Sequence, residues 1–408
     1  MAPNAARLWY RHEHMARIGA TGRGGVCRLA LTPEDTAGRA LLLSWTSRLG
    51  LTAEMDPIGN LFIRREGREP GALPVWTGSH LDTQPTGGKY DGIYGVLAGL
   101  EVLESFAERG IVTRRPIELV VWTDEEGVRF QPTTMGSGVH AGAVRLEDAL
   151  AARDPDGATA AEALAAQVAA LPGVRSRPLG APAHAYVEAH IEQGPVLEAA
   201  GRTIGAVTGI QGLRQFAVTV AGEEAHAGTT PASRRKDAFA AAHRIVAALH
   251  RLVEDPSETT RFTIGRFTAA PGSPNTVPGR VEFTIDLRHP DLATLDRLTE
   301  GIAETCRRMA PPCTADLLPL LDSSPVAFDR AMVERVRAAA RRVGYEPLDL
   351  LSGATHDAKF MAALCPTAMI FIPCRGGISH NEAEAVEPDH LAAGAEVLAE
   401  VLRELAEE

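Results

Sequence analysis

Residues 73–123 constrain the possible fold more tightly than any other stretch. A short apolar run at 73–76 leads into Gly78-Ser79-His80-Leu81-Asp82-Thr83-Gln84-Pro85-Thr86-Gly87-Gly88-Lys89-Tyr90-Asp91-Gly92. Small and apolar residues then recur at helical spacing over 92–109, Gly110 stops them, and 116–123 is a β-rich, strongly apolar run. Strand, loop, helix and buried strand make a βαβ unit, which predicts a doubly wound sheet covered by helices. Ligands of such sheets sit beyond the carboxyl ends of the strands. Both the His80 loop and Asp124-Glu125-Glu126-Gly127 are therefore expected at one edge. Taken alone, the His80 loop reads equally as a metal-binding loop or as a surface loop whose Asp and Gly residues make turns.

Composition narrows the class. A length of 408 residues exceeds the usual single core and implies two domains. The formal charge of −11 argues against nucleic acid or an anionic membrane as partner. Five scattered cysteines without CxxC spacing point to a reducing compartment and exclude a disulfide framework or thiolate zinc site. The N-terminus lacks the apolar core of a signal peptide, and no run approaches the ~20 apolar residues of a membrane span. The expectation is a soluble cytoplasmic protein.

Further along, Thr32-Pro33-Glu34-Asp35 reads as a helix start, with Thr32 as N-cap. The first 30 residues are poorly patterned, and 144–182 is Ala-rich, broken by prolines into one or two short helices. A strand over 185–190 ends in His190-Ile191-Glu192-Gln193-Gly194-Pro195, and a buried strand over 365–372 precedes Ser379-His380-Asn381-Glu382. Between about 209 and 322 the pattern changes to β-α-β-β-α-β, the ferredoxin-like order. The predicted division is a discontinuous domain, 1–210 with 323–408, interrupted by a second domain at 211–322. A closing helix follows from 388.

His80, Asp91, Glu126, His190 and His380 each fall just past a predicted strand. A lone His there usually packs in the core, and acidic triplets are usually solvated turns. Five such groups at one sheet edge instead suit two divalent ions sharing a carboxylate, with Glu125 as general base toward a bound water.

Together with His226-Ala227-Gly228-Thr229-Thr230-Pro231, these motifs resemble the M20-type metal-dependent amidohydrolases. The likeness is narrower to the branch holding N-carbamoyl-L-amino-acid hydrolases, β-ureidopropionases and allantoate amidohydrolases. It extends over nearly all of the chain after about residue 20. The resemblance implies an α/β catalytic domain with two ions per subunit, zinc or else manganese, cobalt or nickel, and an inserted α+β lid through which the protein forms a homodimer. By motif, His80, Asp91 and His190 would hold one ion, and Asp91, Glu126 and His380 the other. Asp82 would orient His80, and His226 would stabilise the oxyanion. Arg288 and Asn275 would bind a substrate carboxylate, with Gln193, Arg214 and His356 as further contacts. His190 stands where the plain peptidases of the superfamily typically carry a carboxylate, which favours the carbamoyl-cleaving branch. Two positions depart from the family pattern: Thr355 where glycine is common, and Asp124 where asparagine is common. The implied activity is hydrolysis of the ureido C–N bond of an N-carbamoyl-L-amino acid or N-carbamoyl-β-alanine. An allantoate or ureidoglycolate amidohydrolase is the competing enzyme, and a non-catalytic metal-stabilised binding protein is the competing class.

Overall fold

The structure, a computed structural model, describes residues 2–408. The chain forms two compact units, Met1–Gly209 with Ala327–Glu408, and Ile210–Val326.

The first unit is built on a mixed sheet. Its strands run in the order Val326–Ala327, Gly205–Ile210, Thr367–Ile372, Ala185–Ile191, Val75–His80, Ile117–Trp122, Leu61–Arg65, Thr52–Met55 and Arg175–Ser176, with Leu348–Ser352 paired to Gly205–Ile210. The four central strands, from Thr367–Ile372 to Ile117–Trp122, are mutually parallel. Every residue of these four is buried, which requires helices against both faces of the sheet. Ile93–Glu108 packs on Val75–His80, and Pro388–Glu407 packs on it and on Thr367–Ile372. Thr32 caps Pro33–Ser47 by accepting the amide of Asp35, as its sequence implies.

The N-terminus departs from the sequence reading. Ala5–Met15 is a helix seated on Ile93–Glu108 and Pro388–Glu407. Arg7 and Arg11 on this helix are paired with the buried Glu101, at 2.7 and 3.3 Å. Those partners are remote in sequence, so no local pattern announces them. The same helix carries His12, which is 1% exposed beside Tyr90 and Tyr94. Burial depresses its pKa to about 3. An unfolded chain takes up that proton near pH 6.5 and the folded one does not. Stability is therefore full above about pH 6.5 and falls toward pH 3, by up to about 1.4 kcal/mol per pH unit. His12→Phe should narrow the gap between urea midpoints at pH 7 and pH 5. An unchanged gap would show that His12 is not the acid-sensitive group.

In the second unit, four antiparallel strands run in the order Arg261–Ala270, Arg280–His289, Gly212–Ala221, Thr314–Ser323. Alternate residues of the inner strands, among them Phe216, Val218, Phe283 and Ile285, form a core with Ala238–Leu252 and Leu292–Met309. The chain order of these elements is β-α-β-β-α-β.

Candidate metal centre and active site

Parallel pairing delivers the chemistry to one edge of the sheet. His80 is the last residue of its strand, in register with Trp122, three residues before Glu125. His190 is penultimate in its strand, beside Phe371. Both histidines thus stand within strands rather than in the loops beyond them, which gives them a rigid backbone. Asp91 arrives from the loop before Ile93–Glu108. Gly92 enters that helix with φ of 70°, and a Cβ there would lie 2.3 Å from the His80 ring, so only glycine lets the loop close over it.

Asp91 lies at the centre. Its Oδ1 is 3.2 Å from His190 Nε2 and 3.8 Å from His80 Nε2, and its Oδ2 is 3.3 Å from His380 Nε2. His380 Nε2 also lies 3.4 Å from Glu126 Oε2, and His80 Nε2 lies 3.6 Å from Glu125 Oε2. Two groups able to hold an ion result, His80/Asp91/His190 and Asp91/Glu126/His380, and Asp91 is common to both. Glu188, His190 and His356 are a third group of suitable spacing. There, however, Glu188 already accepts from Ser79 Oγ, Tyr186 Oη and the Ala358 amide.

The loops are held by hydrogen bonds. Asp82 meets His80 Nδ1 most closely through its backbone carbonyl, at 2.9 Å. The carboxylate, 3.8 Å from that nitrogen, accepts the amides of Glu125 and Glu126 at 3.3 and 3.1 Å. It therefore fixes the backbone bearing the candidate base. Gln193 Nε2 donates to Asp91 Oδ2 at 2.8 Å, and Gln84 Nε2 to Glu126 Oε2 at 2.7 Å. Gln84 carried no signal as an isolated loop residue; only its contact identifies it. Asp124, Gln193 and His380 all hold left-handed backbones, with φ of 53°, 57° and 53°. Non-glycine residues adopt that region at a cost, and it is concentrated here at the ligand loops. At Asp124 it turns the chain sharply just before Glu125 and Glu126.

His356 is buried beneath His190, with ring centroids 4.5 Å apart, and its Nε2 lies 2.9 Å from Ser352 Oγ. Burial, reinforced by the neighbouring His190, keeps it neutral. That location supports His190 from below.

Burial raises Glu125 well above the usual carboxylate range, and the charges of Asp357, Glu126, Asp82 and Asp91 raise it further. Burial and Asp91 bring Glu126 to about 7. Burial opposes ionisation of Asp91 as well, but hydrogen bonding with His190 and His380 prevails and holds it well below the usual range. A buried cluster of carboxylates whose strongest charged neighbours are other carboxylates and imidazoles suits divalent cations, which would offset the accumulated negative charge.

The other expected substrate contacts lie in the Ile210–Val326 unit. His226 Nδ1 accepts the amides of Gly228 and Thr229 at 3.0 and 3.2 Å, which leaves the proton of a neutral ring on Nε2. Thr276 pairs with His226 across a two-stranded ribbon, and the carbonyl of the adjacent Asn275 accepts the Ala227 amide. Arg288 pairs with Asp286 at 2.8 Å. Arg214 is held by Asp296 and Asp322 at 2.6 and 3.0 Å.

Fold and donor set together define a class, the metal-dependent hydrolases built on a mixed α/β sheet. More narrowly, the model of the peptidase family M20/M25/M40 matches residues 76–404, and the chain belongs to that family. It is 43% identical to the N-carbamoyl-L-amino-acid amidohydrolase of Rhizobium meliloti, over 99% of this chain and 97% of that one. Identity to the allantoate amidohydrolase of Bacillus subtilis is 36%, covering 97% and 96%. A crystal structure of a hydantoinase/carbamoylase family amidase from Burkholderia multivorans superposes with a TM-score of 0.90 at 47% identity, covering 100% and 99%.

Proposed function

We propose that this protein hydrolyses the ureido C–N bond of N-carbamoyl-L-amino acids, giving the amino acid, carbon dioxide and ammonia. The observation that carries the reading is Asp91, whose two oxygens face separate groups of ligands in a chain closely similar to a carbamoylase. His80, Asp91 and His190 would hold one divalent ion and Asp91, Glu126 and His380 a second, zinc or else manganese, cobalt or nickel. Such ions, when bound, acidify water and polarise a carbonyl.

The chain's own groups do the rest. Glu125 takes a proton from the attacking water and returns it to the leaving amine. The C–N bond to the amino acid breaks, and the released carbamate decomposes to ammonia and carbon dioxide. His226, with its proton on Nε2, is assigned to donate to the developing oxyanion. Arg288 and Asn275 are assigned to the substrate carboxylate, Arg288 through its forked donors. Gln193 and Arg214 are assigned to secondary contacts. We read the Ile210–Val326 unit as a lid that also forms a homodimer. Its outer strands expose Leu318, Leu320 and Phe267, and a sedimentation mass of one chain would overturn the dimer. Five free cysteines support a cytoplasmic location.

Allantoate is the second substrate to weigh, because the Bacillus subtilis relative is named for it. Metal-loaded protein should release ammonia from N-carbamoyl-L-methionine faster than from N-carbamoyl-β-alanine or allantoate, and chelation should abolish release. Preferred turnover of allantoate would move the assignment to that branch. Silence on all three with metal bound would leave a binding protein.

A further inference from the structure

We infer that Glu384 is a positioning residue for the metal centre: its carboxylate clasps the loop that carries Asp91 to the loop that carries His380. Glu384 lies four residues past His380 and is 5% exposed. Its Oε1 accepts the amides of Tyr90 and Asp91 at 2.8 and 3.2 Å, so it grips the backbone of the central carboxylate itself. Its Oε2 lies 3.1 Å from Ser379 Oγ, on the residue immediately before His380. The amide of Glu384 donates to the Asn381 carbonyl at 3.0 Å and closes the turn between. Space for the clasp comes from Gly88, where a Cβ would stand 2.0 Å from the Glu384 carboxyl group.

Ser379 completes the connection. Its hydroxyl lies 2.9 Å from Asp91 Oδ2 and 3.2 Å from Gln193 Nε2, besides the contact with Glu384. One hydroxyl proton serves two carboxylates, while Gln193 donates to the oxygen. The side chain of Asp91 and the start of the His380 segment are thereby fixed relative to each other. His380 itself sits with a φ of 53° and is half-exposed, with Asp91 and Glu126 the carboxylates at its Nε2. Removing the clasp lets this backbone relax and draws His380 Nε2 away from Asp91 and Glu126. His80 and His190 are carried by strands and stay where they are. The effect should therefore fall more heavily on the Asp91/Glu126/His380 group, which loses the hold on both Asp91 and His380, than on His80/Asp91/His190, which loses it on Asp91 only, whereas a residue that merely closed a turn would lower stability without discriminating between the groups.

The test is titration of the metal-free protein with Co²⁺, followed by visible absorption, with circular dichroism of the metal-free state as the folding control. Wild type should bind two equivalents. Glu384→Ala should weaken one of them by about 10- to 100-fold and the other distinctly less. Glu384→Gln keeps an oxygen for the Tyr90 and Asp91 amides and leaves Ser379 free to donate to Asp91, so it should restore most of the affinity. Two equally tight equivalents in Glu384→Ala would overturn the inference, as would equal weakening of both. If Glu384→Ala does not fold, Ser379→Ala, which removes only the hydroxyl, is judged by the same criterion. The inference rests on Asp91 serving two ions. Fewer than two equivalents in wild type would overturn that reading itself, before any variant is compared.

Discussion

Glu125→Gln is expected to lower kcat by about 10²- to 10⁴-fold, the usual contribution of a positioned general base. Metal content should remain at the wild-type level. The substitution conserves shape and volume, and Glu125 belongs to neither of the two groups that share Asp91. It also removes a buried acid from the neighbourhood of Asp357, Glu126, Asp82 and Asp91, whose charges oppose its ionisation. The metal-free variant should accordingly melt at or above the wild-type temperature. Ammonia release, elemental analysis and thermal melting separate the three effects. Full turnover in the variant would remove Glu125 from the role of base, and loss of metal would make it a ligand.

Asp91→Ala should have the larger effect on metal. Its two oxygens are the common members of both ligand groups, with His190 at 3.2 Å on one side and His380 at 3.3 Å on the other. Deleting the carboxylate leaves two ligands in each group, below the three protein ligands typical of catalytic zinc sites. Both ions should be lost and turnover should become undetectable. His380→Ala should retain about one equivalent, because it removes a member of one group only. Elemental analysis after dialysis distinguishes the cases. If Asp91→Ala keeps one ion as firmly as His380→Ala does, Asp91 does not bridge.

The relation between sequence and structure differs from element to element. The runs 116–123, 185–190 and 365–372 could be read as buried strands because both of their faces are covered, which demands apolar residues at almost every position. Polar loops after such runs stand out, and the βαβ pattern at 73–123 orients them to one edge. The Ala5–Met15 helix gave no such signal, since its ion pairs reach Glu101 on another helix. The two-residue strands Arg175–Ser176 and Val326–Ala327 are too short to show a period of their own. Gly205–Ile210 likewise becomes a strand by pairing with Thr367–Ile372, and Leu348–Ser352 by pairing with Gly205–Ile210 in turn.

By itself, the sequence determined the mixed α/β class and marked five candidate ligands and a candidate base, because ligand chemistry is written in residue type and strands in local apolarity. Only tertiary structure decided which atom does what. Asp82 holds the Glu125 and Glu126 amides with its carboxylate and meets His80 with its carbonyl. His356 lies under His190, Gln84 reaches Glu126, and Glu384 reaches back to Asp91. Each of these contacts joins residues distant in sequence or selects one oxygen of a side chain over another. Hydrogen bonds form over about 3 Å between particular atoms, and that precision exists only once the strands have brought the loops together.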